Sequence, residues 1–161
     1  MVRGVGIDIV DIRRIERMLE KNPDGAFFQK VYTEKEQAEA PELSISTACT
    51  ANNADTSTGN VNTGIGGDAD LIARRLRARA EYYAGRFAVK EAVFKAVAHL
   101  TPSGHFDLRI TETLHDKNGC PFITLTGPLA PVLAEAGVTA LHVSITTEGD
   151  YAAAFVLACR E

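Results

Sequence analysis

The stretch Gly4-Val5-Gly6-Ile7-Asp8-Ile9-Val10 decides how the fold begins. Its larger apolar residues alternate with small or polar ones, which is the period-two pattern of a strand with one buried face. Asp11 follows and suits the N-cap of a helix. The apolar residues of that helix form one stripe, which consists of Ile12, Ile15, Met18 and Leu19. The chain is therefore predicted to open with a strand that runs directly into an amphipathic helix.

The rest of the chain contains further patterns that are typical of helices and hairpins. Thr33-Glu34-Lys35-Glu36 resembles a capping box at the start of another helix, and Asn118-Gly119 is a strong signal for a hairpin turn. The predicted elements of the C-terminal part are a hairpin of residues 110–115 and 121–125, a helix over 128–136 that ends at Gly137, and strands at 141–145 and 151–158. These patterns indicate an α+β fold with a mostly antiparallel sheet packed on a long helix.

The middle of the chain differs in composition. From Pro41 to Asp70 it is rich in Ser, Thr, Asn and Gly and contains no Lys or Arg. We predict a polar flexible insertion at about residues 41–70 within a single domain that spans residues 1–161. A helix is expected from Leu71 to about His99, with a break allowed near residues 82–85.

Composition excludes several classes of function. The 161 residues are 45% hydrophobic and carry a net charge of −4, which argues against general nucleic-acid binding. No apolar run approaches the ~20 residues of a membrane span, and no signal peptide is visible. Three separated cysteines without a CxxC pattern argue against a disulfide framework or a zinc knuckle. We therefore expect a cytoplasmic protein without a membrane or nucleic-acid partner. The basic residues between Leu71 and Lys95 favour a discrete anionic ligand or an acidic partner.

Asp8 is the first candidate for chemistry, because an Asp inside an apolar strand is disfavoured and a half-buried carboxylate needs a partner. It shares a strand face with Gly4 and Gly6, which leave room for a close neighbour. From the strand alone, however, an Asp that caps the next helix is the simpler interpretation.

Glu91 and Lys95 stand at positions i and i+4 of the long helix. Their spacing alone favours a surface ion pair. The alternative is a carboxylate that binds a metal and an ammonium group that binds a phosphate. The histidines show no ligand spacing and are interpreted as structural or surface residues.

Three segments together resemble one family. They are Gly4–Asp11 with Arg14-Ile15, then Ala84–Ala96, and finally the closing pair Leu141–Thr146 and Tyr151–Ala154. In order and spacing they resemble the 4′-phosphopantetheinyl transferase superfamily, and within it the short, single-domain branch of holo-acyl-carrier-protein synthases. The resemblance covers roughly residues 4–38, 80–98 and 107–158.

The resemblance implies the 4′-phosphopantetheinyl transferase fold and a transferase reaction of lipid metabolism. Members of this branch move 4′-phosphopantetheine from coenzyme A to a serine of apo-acyl carrier protein, and they release adenosine 3′,5′-bisphosphate. They use Mg²⁺ and form homotrimers with active sites at subunit interfaces. The carrier protein is either a free fatty-acid-synthase carrier or a domain of a larger synthase.

The resemblance also implies roles for individual residues. Asp8 and Glu91 match the two metal ligands, and Lys95 matches the catalytic lysine near the pyrophosphate. Glu91, directly or through a metal-bound water, is the expected acceptor of the serine proton. Three further assignments are docking of the carrier protein by Arg13, Arg14 and Arg17, contact of Arg86 with a coenzyme A phosphate, and contact of Thr147 with the substrate.

Thr147 is also a departure, because the family usually has a histidine there. A second departure is Leu100–Gly104, which replaces a Gly-Thr-Gly-like loop. Two alternatives therefore stay open. One is a degenerate, non-catalytic subunit that binds carrier protein, which Thr147 favours. The other is an unrelated Mg²⁺-dependent phosphohydrolase that uses the same carboxylates.

Overall fold

The computed structural model describes residues 1–43, 65–101 and 106–161, with side chains of the second range described from Asp68 onward. Residues 44–64, which belong to the predicted insertion, lie outside the described residues. So do residues 102–105, which include most of the loop Leu100–Gly104. The helices and strands are β1 (Val2–Asp11), α1 (Ile12–Lys21), α2 (Ala26–Val31), α3 (Glu34–Glu39), α4 (Ile65–Val97), β2 (Thr113–His115), β3 (Pro121–Ile123), α5 (Ala130–Ala136), β4 (Ala140–Glu148) and β5 (Tyr151–Cys159). Short 3₁₀ turns occupy Ala98–Leu100, Leu108–Ile110 and Gly127–Leu129.

The main sheet has three antiparallel strands in the order β1-β5-β4. Strands β2 and β3 form a separate two-stranded ladder. Gly119 adopts φ +79° in its turn, and the Asp116 carboxylate accepts hydrogen bonds from the backbone N–H groups of Asn118 and Cys120 at 2.8 and 2.9 Å. The predicted α+β fold, with an antiparallel sheet on a long helix, is confirmed.

Helix α4 runs without a break from Ile65 to Val97. It begins earlier than the predicted Leu71, so residues 65–70 of the predicted insertion are helical. The helix also passes through residues 82–85, because Gly85 is buried against β4, where a Cβ would lie 3.1 Å from Cγ2 of Ile145. Tertiary packing thus outweighs the low helix propensity of glycine. No helix in the described ranges combines the length and apolar character that crossing a membrane would require.

Close contact between β1 and α4 positions the site. A Cβ on Gly4 would lie 1.9 Å from the carbonyl oxygen of Ala96, and one on Gly6 would lie 1.8 Å from that of Ala92. A fully buried alanine stripe on α4 allows this approach, and it consists of Ala80, Ala84, Ala88, Ala92 and Ala96. Because side chains of a strand alternate in direction, Asp8 is the next residue of β1 on the face toward α4.

A buried carboxylate joins α3 to α4 and β2. Glu36 and Thr33 form the predicted capping box, in which the backbone N–H of Thr33 donates a hydrogen bond to Oε2 of Glu36 at 2.8 Å. Glu36 also accepts hydrogen bonds from the backbone N–H of Thr113 at 3.0 Å and from Nζ of Lys90 at 2.8 Å. Burial lowers the pKa of Lys90. These bonds fix the position of α3 and β2 beside α4.

Candidate active site

Asp8 and Lys95 form an ion pair where β1 crosses α4. Nζ of Lys95 lies 2.7 Å from Oδ1 of Asp8 and donates a second hydrogen bond to the carbonyl of Ile7 at 3.1 Å. The side chain of Asp8 is 16% exposed and that of Lys95 is 48% exposed. Asp11, not Asp8, caps α1, because its Oδ1 accepts from the backbone N–H of Arg13 at 2.9 Å. The simpler interpretation of Asp8 as a helix cap is therefore wrong.

Glu91 lies on α4 one turn before Lys95, with an intermediate burial. Gly4 faces Ala96 and Gly6 faces Ala92, so β1 advances toward the N-terminal end of α4. Residues four apart on a helix project to the same side, so Glu91 lies on the same side of α4 as Lys95, which contacts Asp8.

Two carboxylates at this junction suit a hard cation. Mg²⁺ takes oxygen ligands, usually one or two of them protein carboxylates, and fills its octahedron with waters and substrate phosphates. Within the described ranges no cluster of three or more His, Cys, Asp or Glu side chains could hold a metal. Asp8 and Glu91 would supply the one or two carboxylates that a partly hydrated Mg²⁺ usually takes from a protein.

A groove of about 430 Å³ lies beside another face of α4. Its lining includes Tyr82 and Arg86 of α4, His115 of β2, and Ile145 and Thr147 of β4. Two of the residues predicted to bind coenzyme A, Arg86 and Thr147, therefore share one groove. The third, Lys95, lies at the β1–α4 junction instead.

The guanidinium of Arg86 is buried, with the residue only 3% exposed. It stacks 3.4 Å from the centroid of the Tyr82 ring, and its Nη2 lies 3.1 Å from Nδ1 of His115 and 3.7 Å from Oε2 of Glu39. Burial lowers the pKa of Arg86 and raises the pKa of Tyr82. Nε of Arg86 is buried and has no hydrogen-bond partner in the described part of the chain. His115 and Glu39 were not predicted, because only the tertiary fold brings α3 and β2 to Arg86.

The groove and the carboxylate junction face different directions. At 100° per residue, Glu91 is rotated by about 140° and Lys95 by about 180° from Arg86 around the axis of α4. The chain therefore presents two groups of candidate residues on nearly opposite sides of one helix.

The predicted docking arginines on α1 differ in their contacts. Arg13 is held by ion pairs to Asp11 at 3.2 Å and to Asp150 at 3.3 Å. Arg14 and Arg17 are exposed and form no ion pair with another described residue. Positions 14 and 17 are neighbours on the helix surface, so these two guanidinium groups form a small cationic face that is open to a partner.

One face of the main sheet is apolar and exposed. Val5, Ile7 and Ile9 of β1 are 53%, 64% and 64% exposed, and Phe155 and Tyr151 of β5 are 43% and 50% exposed. Ile7 is paired directly with Phe155 across the two strands. A contiguous apolar patch of this kind marks an interaction surface.

Comparison with known proteins identifies similar sequences and similar solved structures. No protein-family model matches the chain. A holo-[acyl-carrier-protein] synthase of Methylobacterium radiotolerans is 35% identical, and the match covers 98% of this chain and 93% of that protein. The crystal structure of the holo-ACP-synthase of Plasmodium yoelii is similar, with 25% identity, a TM-score of 0.65, and coverage of 100% of this chain and 97% of that one.

A second similar protein was solved as a complex with a ligand. The holo-(acyl-carrier-protein) synthase of Bacillus anthracis, in complex with CoA (3′,5′-ADP), is 25% identical with a TM-score of 0.59, and the match covers 100% of this chain and 99% of that one. The two structural matches cover 100% of this chain, and the sequence match covers 98% of it. On this sequence identity and shared fold, the chain belongs to the holo-[acyl-carrier-protein] synthase family of phosphopantetheinyl transferases.

Proposed function

We propose that the chain transfers 4′-phosphopantetheine from coenzyme A to a serine hydroxyl of an apo-acyl carrier protein, with Mg²⁺ bound by Asp8 and Glu91. The observation that carries this proposal is the junction of β1 and α4, where Lys95 contacts Asp8 at 2.7 Å and Glu91 lies one turn away. The complex of the Bacillus anthracis relative with CoA supports coenzyme A as the donor.

Lys95 and the two carboxylates have distinct tasks in this reaction. Attack on the β-phosphate of coenzyme A builds negative charge on phosphate oxygens, so catalysis depends on positioning and charge stabilisation. Bound Mg²⁺ supplies positive charge to these oxygens. Lys95 supplies a second positive charge and exchanges its contact with Asp8 for one with the pyrophosphate. Glu91 accepts the proton that the serine hydroxyl loses, directly or through a bound water.

A homotrimer with active sites between subunits is part of this proposal. The main sheet exposes a large apolar patch to water, and a second copy of the chain would bury it. The patch consists of Val5, Ile7, Ile9, Tyr151 and Phe155. The nearly opposite positions of Arg86 and Lys95 around α4 agree with this arrangement, since the groove of one copy can complete the junction of its neighbour.

Carrier-protein docking is assigned to α1. Acyl carrier proteins are acidic, so a cationic face steers their approach and orients the serine. Arg14 and Arg17 have guanidinium groups available for this contact, whereas Arg13 contributes from within its ion pairs to Asp11 and Asp150.

Intact-mass measurement of an apo-carrier protein tests the proposed function. The carrier is incubated with coenzyme A, Mg²⁺ and the chain, and it should gain the mass of one phosphopantetheine group, with no gain when the metal is chelated. Cleavage of coenzyme A without modification of the carrier would instead identify a phosphohydrolase. Binding of the carrier without cleavage of coenzyme A would identify a non-catalytic subunit.

A further inference from the structure

The turn between β4 and β5 is bonded to the N-terminal end of α1. The backbone N–H of Ile12, the first residue of α1, donates to the carbonyl oxygen of Asp150 at 2.8 Å. Oδ2 of Asp150 lies 3.3 Å from Nη1 of Arg13. Strand β1 ends at Asp11, so it passes into α1 without a loop. The turn therefore supports the helix at the point where the strand runs into it.

Arg77 extends this contact to α4. Its Nη1 lies 3.3 Å from Oδ1 of Asp150 and 3.7 Å from Oε2 of Glu16 on α1, and its Nη2 donates to the carbonyl of Gly149. The side chains of Arg77 and Glu16 are only 26% and 25% exposed. The carboxylate of Asp150 thus bridges an arginine of α1 and an arginine of α4. We call the group of Asp150, Arg13, Arg77 and Glu16 the Asp150 clamp.

Apolar packing alone does not fix the direction of α1. The buried residues of this helix are Ile12, Ile15 and Leu19. Hydrophobic contacts are non-directional, whereas hydrogen bonds between ionised groups have a defined geometry. The Asp150 clamp therefore restricts the rotation and tilt of α1. Arg14 and Arg17, the proposed docking residues, lie on the exposed side of the same helix, so the clamp fixes their position relative to Asp8 on β1.

The Asp150 clamp does not itself suit an acidic carrier protein. Four carboxylates surround its two guanidinium groups, and this surplus of negative charge repels an acidic partner. The carboxylates belong to Asp11, Glu16, Glu81 and Asp150. The clamp can therefore favour docking only through the position of α1 and not by direct contact with the carrier.

We propose that Asp150 is a positioning residue for the carrier protein, because its clamp holds α1 at the angle at which a docked carrier presents its serine to the junction of Asp8 and Lys95. This inference rests on the proposed function, since it concerns the proposed acceptor of the phosphopantetheine group. It gives the β4–β5 turn a role in carrier docking although the turn carries no free cation.

Transfer kinetics with varied carrier concentration test this proposal. Asp150→Asn should raise the KM for the carrier by about fivefold, the upper value of a partly exposed ion pair. Loss of the negative charge alone has the opposite sign, because it weakens repulsion and lowers the KM for an acidic partner. The KM for coenzyme A should change by less than about twofold, since Asp150 does not line the groove of Arg86 and Thr147.

Two further variants sharpen the comparison. Glu16→Gln removes the other carboxylate that joins α1 to Arg77 and should raise the KM for the carrier in the same direction. Glu20→Gln removes an exposed acidic charge of α1 outside the clamp. It should leave the KM for the carrier unchanged or lower it, which makes it the matched control for charge.

Hydrogen exchange of the free protein gives a readout that does not depend on transfer. The backbone amides of residues 12–21 should exchange about fivefold faster in Asp150→Asn and in Glu16→Gln than in the wild-type chain and in Glu20→Gln. Thermal unfolding shows which variants keep the fold, and Glu16→Gln carries the test if Asp150→Asn does not fold.

The contradicting results are separate for the two proposals. If the wild-type chain modifies the carrier and the folded clamp variants have an unchanged or lower KM for it, or an unchanged exchange of α1, the positioning role is overturned and the proposed function stands. If the wild-type chain does not modify the carrier at all, the proposed function fails and this inference fails with it.

Discussion

Gly6 shows how one residue sets the geometry of the junction. A Cβ at this position would lie 1.8 Å from the carbonyl oxygen of Ala92, which is backbone and cannot move aside as a side chain can. The absence of a side chain therefore allows β1 to approach α4 closely enough for Asp8 to reach Lys95.

Gly6→Ala should destabilise the fold by about 3 kcal/mol, the upper end of the usual cost of overpacking a core. The expected cause is displacement of β1 from α4, and the measurement is chemical denaturation followed by circular dichroism. Gly85→Ala is the matched control, because its Cβ would lie 3.1 Å from a side-chain methyl of Ile145 that can shift. Equal losses of stability in the two variants would show that the backbone contact at Gly6 is not special.

Arg14 and Arg17 are the exposed arginines of α1 that form no ion pair with another described residue. Arg14→Glu should raise the KM for acyl carrier protein by about tenfold at low ionic strength, with a smaller effect at high salt because screening weakens charge steering. The KM for coenzyme A should stay unchanged. Lys30→Glu makes the same change of charge at an exposed position of α2 and should leave both constants nearly unaltered. A change confined to coenzyme A would exclude docking by Arg14.

Individual residues were predictable from sequence where a motif carried them. The site roles of Asp8, Glu91 and Lys95 are predictions that come from the family resemblance, since the strand and helix patterns alone favoured a helix cap and a surface ion pair. The environment of Arg86 was not predictable, because its burial depends on Tyr82, Glu39 and His115, which only the tertiary fold brings together. His115 had no sequence signal, since its neighbours in space come from α3 and α4.

At the scale of elements, the buried pair of Glu36 and Lys90 connects three parts of the chain. Glu36 lies at the start of α3, Lys90 lies in the C-terminal third of α4, and the backbone N–H of Thr113 in β2 donates to the same carboxylate. Both charged side chains are 0% exposed. The pair therefore determines how α3 and β2 attach to α4.

Lys90→Met should cost about 3–5 kcal/mol, because it leaves the Glu36 carboxylate buried without its cation. The double variant Lys90→Met/Glu36→Gln should recover a large part of this loss, since both charges are then removed. Denaturation of the two single variants and the double variant gives the coupling free energy. Purely additive losses would contradict a direct interaction between these residues.

Short backbone motifs predicted several boundaries of the elements correctly, whereas the start of α4 was predicted wrongly. The capping box at Thr33, the hairpin turn at Gly119 and the helix end at Gly137 all follow from short-range backbone requirements, and all three are present. The start of α4 was predicted too late, because Ile65–Asp70 has a linker-like composition and too little apolar periodicity to indicate a helix. Helix α4 continues through Gly85 because this residue packs against β4. That contact could not be predicted from the local sequence.

In the molecule as a whole, one face of the main sheet exposes large apolar side chains, and no other part of the described chain covers them. Fold class followed from the order of strands and helices. The separation of Arg86 from Lys95 around α4 did not, because the side of a helix on which a residue lies becomes meaningful only once the packing of that helix is known. The proposed homotrimer would account for both observations, since a second copy would cover the apolar face and bring its groove to the junction of Asp8 and Lys95.

Ile7→Glu should dissociate the proposed homotrimer and abolish transfer while the chain stays folded, because a charge would be placed in the centre of an apolar interface. Sedimentation velocity measures the oligomeric state, and circular dichroism checks the fold. Phe122→Glu replaces an exposed apolar residue, 42% exposed on β3, outside this patch and should leave the assembly intact. An active, monomeric Ile7→Glu protein would show that a single chain contains the whole site.

Mn²⁺ titration followed by electron paramagnetic resonance tests whether Asp8 and Glu91 together hold the divalent cation. With coenzyme A present, the wild-type chain should bind about one Mn²⁺ per chain, and Asp8→Asn and Glu91→Gln should each weaken that binding by at least about tenfold. Mn²⁺ binding that is unchanged in both variants, with their folds intact, would contradict the account.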